Sequence, residues 1–372
     1  MTRRHKAPLA VALAGAATFG LGVALPLINA QRRLPSRRQP RPLTSVDGRT
    51  IRVIIPAYLE SKVIGQTVRR LRAQLSVHGP AGSSVLVVAS DPATALAAAE
   101  GGASVISAPR EGKPAAINEG IRACRGNVVV LTDGNAQITP DDWPALLLED
   151  LRAASLVSGN KQQLGEQESG YWAYERMAKG AGRKDPLSDS IALIGEFVGF
   201  RVEDYEPIPK GTLVDDIVIG MSFDSRGLRS VVDRRITAAE EGVGMAQQFE
   251  RRVRIAAGLL ETCLPALPSL LATTNGRSLV FHKVYRQTLG ALGYWVMAGS
   301  VCLVAPPWSA IFALAGVAAS ALPYLRPNAP VPKWVRALME GAALQVVPPF
   351  AWLRVLKRWV LPASPGWKKV AR

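Results

Sequence analysis

The sequence predicts an α/β fold, a mainly parallel sheet with helices on both faces, joined to apolar segments near both ends of the chain. Three observations carry this expectation. Val128–Leu131 is a run of four apolar residues, three of them β-branched, which reads as a strand buried on both faces. From Ile51 onward strand and helix patterns alternate, which means parallel strands joined by right-handed crossovers. Residues 7–28, 288–305 and 308–325 are apolar runs of membrane-spanning length.

The central strand stops at Thr132-Asp133-Gly134-Asn135. Ligands of open α/β sheets bind beyond the carboxyl ends of the strands, so Asp133 and Asn135 stand where a substrate would. Oxygen donors two residues apart suit a hard divalent cation that also holds a phosphate. Asp-Gly-Asn is also good turn chemistry, and that alternative stays open on these residues alone. Upstream, Ile51–Pro56 is a strand ended by proline, and Val63, Ile64, Val68, Leu71 and Leu75 recur at helical spacing. Val85–Ala89 is the next strand with Asp91 at its end, Ala103–Ser107 follows, and Lys113-Pro114 opens a helix to about Arg122. Tyr58, Glu60, Asp91, Lys113, Asp133 and Asn135 thus collect at strand ends and outline a crevice.

The second half is less regular. Glu168–Glu175 reads as an amphipathic helix with its aromatics on one side, for which core packing suffices. Gly195–Arg201 reads as a strand with close backbone approach, and Asp215-Asp216 opens a helical pattern through Ile217, Ile219 and Met221. The two carboxylates there could simply complement a helix N-terminus. Ala246–Gly258 is a basic helix carrying Arg251, Arg252 and Arg254, equally readable as a solvated or membrane-facing surface.

The net charge of +16 is unevenly placed: residues 1–42 hold eight Lys/Arg and no acid, and five more lie from Lys357 to Arg372. These charges flank apolar runs, which points to anionic lipid headgroups and argues against a nucleic-acid partner. Residues 7–28, flanked by Arg3-Arg4-His5-Lys6 and by five downstream arginines, are expected to be a retained anchor rather than a cleaved signal, with the following domain cytoplasmic. Residues 34–48 read as a Pro- and Arg-rich linker. Leu259–Leu271, broken by Pro265 and Pro268, suits a kinked or interfacial segment. The runs 288–305 and 308–325, separated by Pro306-Pro307, read as a membrane hairpin, while 337–356 fits an interfacial segment or a third span equally. Cys124, Cys263 and Cys302 have no metal or disulfide spacing, and His5, His78 and His282 are isolated.

Taken together, the motifs resemble the family 2 glycosyltransferases, specifically the membrane-embedded relatives of the cellulose, chitin and hyaluronan synthases. Val53-Ile-Ile-Pro-Ala-Tyr-Leu-Glu60 resembles the opening strand and loop, and Gly112-Lys113-Pro-Ala-Ala-Ile-Asn118-Glu-Gly120 the Gly-Lys segment. Thr132-Asp133-Gly-Asn135 stands at the Asp-x-Asp position, Asp215-Asp216 at the Glu-Asp position, and Arg251-Arg-Val-Arg254 at the Gln-x-x-Arg helix. The resemblance implies a GT-A fold over residues 49–258, between a membrane anchor with linker (1–48) and a C-terminal membrane domain (259–372).

It also implies roles. Pro56, Tyr58, Glu60, Asp91 and Lys113 would line the nucleotide sugar, with Glu60 and Asp91 at the base and Lys113 at the nucleotide or its diphosphate. Asp133 and Asn135 would hold Mg²⁺ or Mn²⁺ against that diphosphate. Asp216 would be the base for inverting displacement, Arg254 would steady the departing diphosphate, and Asp215 and Arg251 would assist. The implied donor is a nucleotide sugar of the UDP type, and the implied acceptor a glycan or lipid at a membrane. The chain departs from the family pattern at Asn135, at Val87–Asp91, at Leu59, and at Arg251 and Ile255, the last pair bearing on processivity. A polyprenyl-phosphate glycosyltransferase and a non-catalytic nucleotide-sugar-binding scaffold are the alternatives.

Overall fold

The computed structural model describes residues 3–31, 43–164, 185–241, 245–304, 332 and 344–360. The chain forms two compact units. The described part of one lies within Ser36–Gly165 and Arg183–Gly242, and that of the other within Met1–Pro35 and Val243–Pro362.

Among the described residues the first unit has nine strands: β1 (Ile51–Ala57), β2 (Ser84–Ala89), β3 (Ser104–Ser107), β4 (Val128–Leu131), β5 (Gln137–Thr139), β6 (Leu156–Leu164), β7 (Leu187–Asp189), β8 (Val198–Arg201) and β9 (Ser230–Glu241). Their order is β3-β2-β1-β4-β8-β6-β9-β5, with β7 beside β9. The half β3-β2-β1-β4 is parallel, as expected, with Ile51 opposite Val128 and Val53 opposite Val130. The other half corrects the expectation of a mainly parallel sheet. β8 runs against both β4 and β6, and β5 and β7 run against β9, so the sheet is mixed. Apolar patterning reports burial and not strand direction, so the sequence could not show this reversal. Its consequence is local: Val198, the start of β8, faces Leu131, the end of β4. β1 also continues one residue past Pro56, which pairs with Val88.

The central strand is buried on both sides because its residues alternate between two cores. Val128 and Val130 pack with α2 (Ile64–His78) and α5 (Trp143–Leu151); the same layer includes Ala98 of α3 (Pro92–Glu100). Val129 and Leu131 pack with Ile117 and Ile121 of α4 (Lys113–Arg122) and with Ile219 and Phe223 of α6 (Asp215–Ser225). Helices therefore cover both faces, as predicted.

The second unit contains α1 (Arg3–Gln31), α7 (Met245–Cys263), α8 (Leu267–Leu271), α9 (Thr274–Leu279), α10 (Ala291–Val304) and α11 (Val347–Val360), with π-helical turns at Val280–Val284 and Arg286–Gly290. α1 and α10 approach closely at two glycines: a Cβ on Gly15 would lie 2.8 Å from the Gly293 carbonyl oxygen. α7 packs on α11 through Val253, Ala257, Leu260, Ala351 and Val355. The expected break in 259–271 falls between α7 and α8. Among the described residues no helix is long and apolar enough to cross a membrane, so the spans expected at 7–28 and 288–305 find no support there. The expected span 308–325, residues 337–343 of the run 337–356, the helix 168–175 and most of the linker 34–48 lie outside the described residues.

Candidate active site

The carboxyl ends of β1, β2 and β4 carry the predicted residues. After β1 the backbone turns through Tyr58 and Leu59, whose φ of 54° is the left-handed conformation that costs a leucine strain. Hydrogen bonds from the next loop hold it. The Leu59 N–H donates to Asp91 Oδ2 at 2.8 Å, and the Glu60 N–H donates to Thr94 Oγ1 at 3.0 Å. Asp91 is also the N-cap of α3, its Oδ1 accepting the Thr94 N–H at 2.9 Å. Both Asp91 oxygens thus fix backbone, whatever else they contact. Glu60 is buried and turned toward the β4 loop, where a Cβ at Gly134 would collide with its Oε2. The Arg110 guanidinium lies 4.2 Å from the centre of the Tyr58 ring, a cation–π contact.

Lys113 opens α4 behind Gly112, whose φ of 98° favours glycine, and Pro114 pre-sets the first turn. Its ammonium stands 2.8 Å from Asp133 Oδ1 and 3.2 Å from Asp215 Oδ2. Burial alone would lower its pKa. The Asp133 and Asp215 carboxylates, with Glu196 further off, outweigh that and hold it above the ordinary lysine range. Three distant stretches of sequence therefore meet on one ammonium. Asp215 and Asp216 occupy the first turn of α6, as expected, yet it is Asp215 that faces Lys113; Asp216 Oδ1 accepts the Ile217 N–H at 2.9 Å. Asn118 supports the approach to α6. Its Oδ1 accepts from the Tyr205 hydroxyl and the Ile208 N–H, and its Nδ2 donates to the Ile208 carbonyl at 2.9 Å.

The reversal of β8 adds residues that the sequence did not disclose. Glu196 sits just before β8, buried, and pairs with Lys161 of β6. The Thr132 hydroxyl donates to the Glu196 carbonyl at 2.7 Å, tying the end of β4 to that loop. Arg110 and Thr94 were likewise unmarked. Glu196 had one visible signal, an acid inside an otherwise apolar strand pattern, whereas Lys161 looked like any solvated residue. Arg251 and Arg254 lie on α7 in the other unit, both half-buried.

Among the described residues no group of three His, Cys, Asp or Glu could hold a metal by itself. Asp133, with Asn135 two residues on, supplies hard oxygen donors, and Asp215 lies at the same ammonium. A donor set of one or two carboxylates fits Mg²⁺ or Mn²⁺ that arrives with phosphate oxygens, not a cation caged by protein alone.

The fold has a close counterpart among solved structures. The mannosyltransferase PcManGT from Pyrobaculum calidifontis, solved in complex with GDP-Man and Mn²⁺, superposes with a TM-score of 0.68 at 19% identity, covering 93% of this chain and 98% of that one. Glucosyl-3-phosphoglycerate synthase from Mycobacterium tuberculosis, in complex with Mn²⁺, UDP-glucose and phosphoglyceric acid, matches at a TM-score of 0.39 and 22% identity, over 59% of this chain and 84% of that one. No curated protein sequence matches the chain. Residues 52–208 match the family described as Glycosyl transferase family 2, a stretch that holds Glu60, Asp91, Lys113 and Asp133. Residues 52–208 are thus similar to the glycosyltransferase family 2 domain, and the mixed sheet that holds them has the GT-A-like fold of the solved mannosyltransferase.

Proposed function

We propose that the protein transfers a sugar, with inversion, from a nucleoside-diphosphate sugar to a glycan or lipid acceptor at a membrane. The observation that carries this reading is the meeting of Lys113, Asp133 and Asp215 at the carboxyl end of β4. Such a cluster suits a diphosphate leaving group, which gains negative charge as the glycosidic bond breaks and needs fixed positive charge beside it. Asp133 and Asn135 would hold a divalent cation, and such an ion, when bound, neutralises the leaving diphosphate. The solved counterpart with GDP-Man and Mn²⁺ supports a donor of this chemical class; the UDP type stays a proposal. Lys113 would bind the diphosphate, and Tyr58, stacked under Arg110, would offer a face to the base with Pro56 and Glu60 beside it. Asp91 would act through the Leu59–Glu60 backbone as well as at the base. Asp216 would take the acceptor proton, the role that the resemblance implies for the second acid of the pair, while Asp215 meets the ammonium. Arg254 and Arg251 would assist the leaving group.

The membrane part of the proposal rests on the charge-flanked apolar runs and on the second unit. Large apolar side chains are exposed on α1, α10 and α11, among them Leu13, Leu21, Leu292, Leu353 and Trp359. The deciding experiment incubates membranes containing the chain with a panel of radiolabelled UDP- and GDP-sugars, with and without Mn²⁺, and sizes the product. Cation-dependent incorporation from one donor is expected. Binding of a donor with neither hydrolysis nor transfer would leave the scaffold reading instead, and a polyprenyl-phosphate sugar as sole product would select the lipid acceptor.

A further inference from the structure

The Lys113 ammonium lies within ion-pair distance of two carboxylates from different elements, 2.8 Å from Asp133 on the β4 loop and 3.2 Å from Asp215 on α6. We propose that Lys113 is a built-in cation that fills the divalent-metal seat between Asp133 and Asp215 in the free protein, and that it yields this seat to the metal when a nucleoside diphosphate binds. The inference rests on the functional reading above and assigns Asp215 as the second carboxylate that Asn135 does not supply.

Asp133 and Asp215 approach the same ammonium from different elements, so a single cation in its place would meet both carboxylates. An ammonium and a dication cannot both occupy the gap, since like charges at contact repel strongly away from bulk water. A bare dication must therefore displace Lys113, and the displaced ammonium must find new negative charge. The diphosphate supplies it. Lysine suits this exchange because its charge is a point on a flexible four-carbon stem, unlike the planar fork of arginine. Gly195 leaves one side of the ammonium open: a Cβ there would stand 3.4 Å from Nζ. Glu196, a further acid near the ammonium, is paired with Lys161. Asn135, being neutral, further weakens the seat toward a dication that arrives without phosphate.

The test reads Mn²⁺ binding alone, by the electron paramagnetic resonance signal of free Mn²⁺ titrated with the purified full chain and no nucleotide. Wild type is expected to bind Mn²⁺ weakly and to tighten when UDP or GDP is added. Lys113→Met should bind Mn²⁺ alone at least about tenfold more tightly than wild type, and Lys113→Met/Asp215→Asn should lose that gain. Equal or weaker Mn²⁺ binding by Lys113→Met would overturn the proposal, as would a double variant that keeps the gain. Should Lys113→Met fold poorly in metal-free buffer, its thermal unfolding is followed against Mn²⁺: restoration of a cooperative transition supports the exchange, and no restoration refutes it. No sugar donor enters these measurements, so an absence of transfer activity would defeat the functional reading separately.

Discussion

At the scale of single residues, the two adjacent acids of α6 divide their work. Asp215 meets the Lys113 ammonium, while Asp216 accepts the Ile217 N–H and is the proposed base. Asp216→Asn should keep nucleotide binding and lose turnover by about 10²–10⁴-fold, checked by donor affinity and initial rates on the same preparation; unchanged turnover would remove Asp216 from the chemistry. Asp91 makes a different prediction. Its carboxylate caps α3 and pins the left-handed Leu59, so Asp91→Ala should cost about 1 kcal/mol from the lost cap and raise the KM for donor as Glu60 loosens. Asp91→Asn, which keeps an acceptor oxygen, should recover most of the stability in urea unfolding. A variant with full stability and intact KM would show that the clamp has no function.

At the scale of elements, the site depends on how tightly α4 lies on the sheet. A Cβ on Gly120 would stand 2.6 Å from Ile54 Cγ2 and 3.0 Å from Val88 Cγ2. Gly120→Ala should therefore push α4 off β1, costing about 1–3 kcal/mol in urea unfolding and weakening donor binding through Lys113 at the helix start. A second expectation comes from α5 and β9. Asp150 and Asp233 are both buried, and Arg235 bridges to each, 2.6 Å from Asp150 Oδ1 and 3.0 Å from Asp233 Oδ2. Burial, then the Asp233 contact, pushes the Asp150 pKa up to about 8. An acid with a raised folded pKa takes up a proton on folding between the unfolded value and the folded one, so its contribution falls as pH rises through that window, here from about 4 to about 8. Urea midpoints at pH 5.5 and 8.5 should decline for wild type and decline less for Asp150→Asn; parallel declines would place the titration elsewhere.

These elements also show what the sequence made legible. Strands β1 to β4 and helices α2 and α4 follow from apolar period and from turn residues, and so do Glu60, Asp91, Lys113 and Asp133 at strand ends. The antiparallel return of β8 does not follow, because its apolar pattern fits either direction, and with it went Glu196 and Lys161. The sharing of one ammonium by Asp133 and Asp215 was also hidden, since their separation along the chain says nothing of distance in space. The identity of the acid facing Lys113 turned on which of two neighbours points inward, a matter of one helical step.

At the scale of the whole molecule, the two units differ in what they expose. The sheet unit holds the Lys113 cluster, and most of its large apolar side chains fill the two cores on either face of the sheet, Val77 and Leu96 being exposed. The other unit exposes Val11, Leu13 and Leu21 on α1, Leu292 and Val301 on α10, and Phe350, Leu353, Trp359 and Val360 on α11. Arg354, Lys357 and Arg358 lie among the last group, with Arg358 paired to Glu261 at 3.0 Å. Apolar surface bordered by cations is what an anionic lipid interface attracts, and the 1–42 segment adds eight more positive charges beside its own apolar run. The two kinds of attachment respond differently to solvent. Charge pairing with headgroups is screened by salt, whereas apolar segments lodged in the bilayer release only when detergent replaces lipid. If the apolar runs anchor the chain, 1 M salt and alkaline carbonate should leave it in the membrane pellet, and detergent alone should extract it. Release by salt would restrict attachment to the basic flanks and α11. Under that outcome Leu353→Glu/Trp359→Glu, which charges the exposed face of α11, would abolish binding to vesicles containing anionic lipid, while the same pair would leave an anchored chain in the pellet.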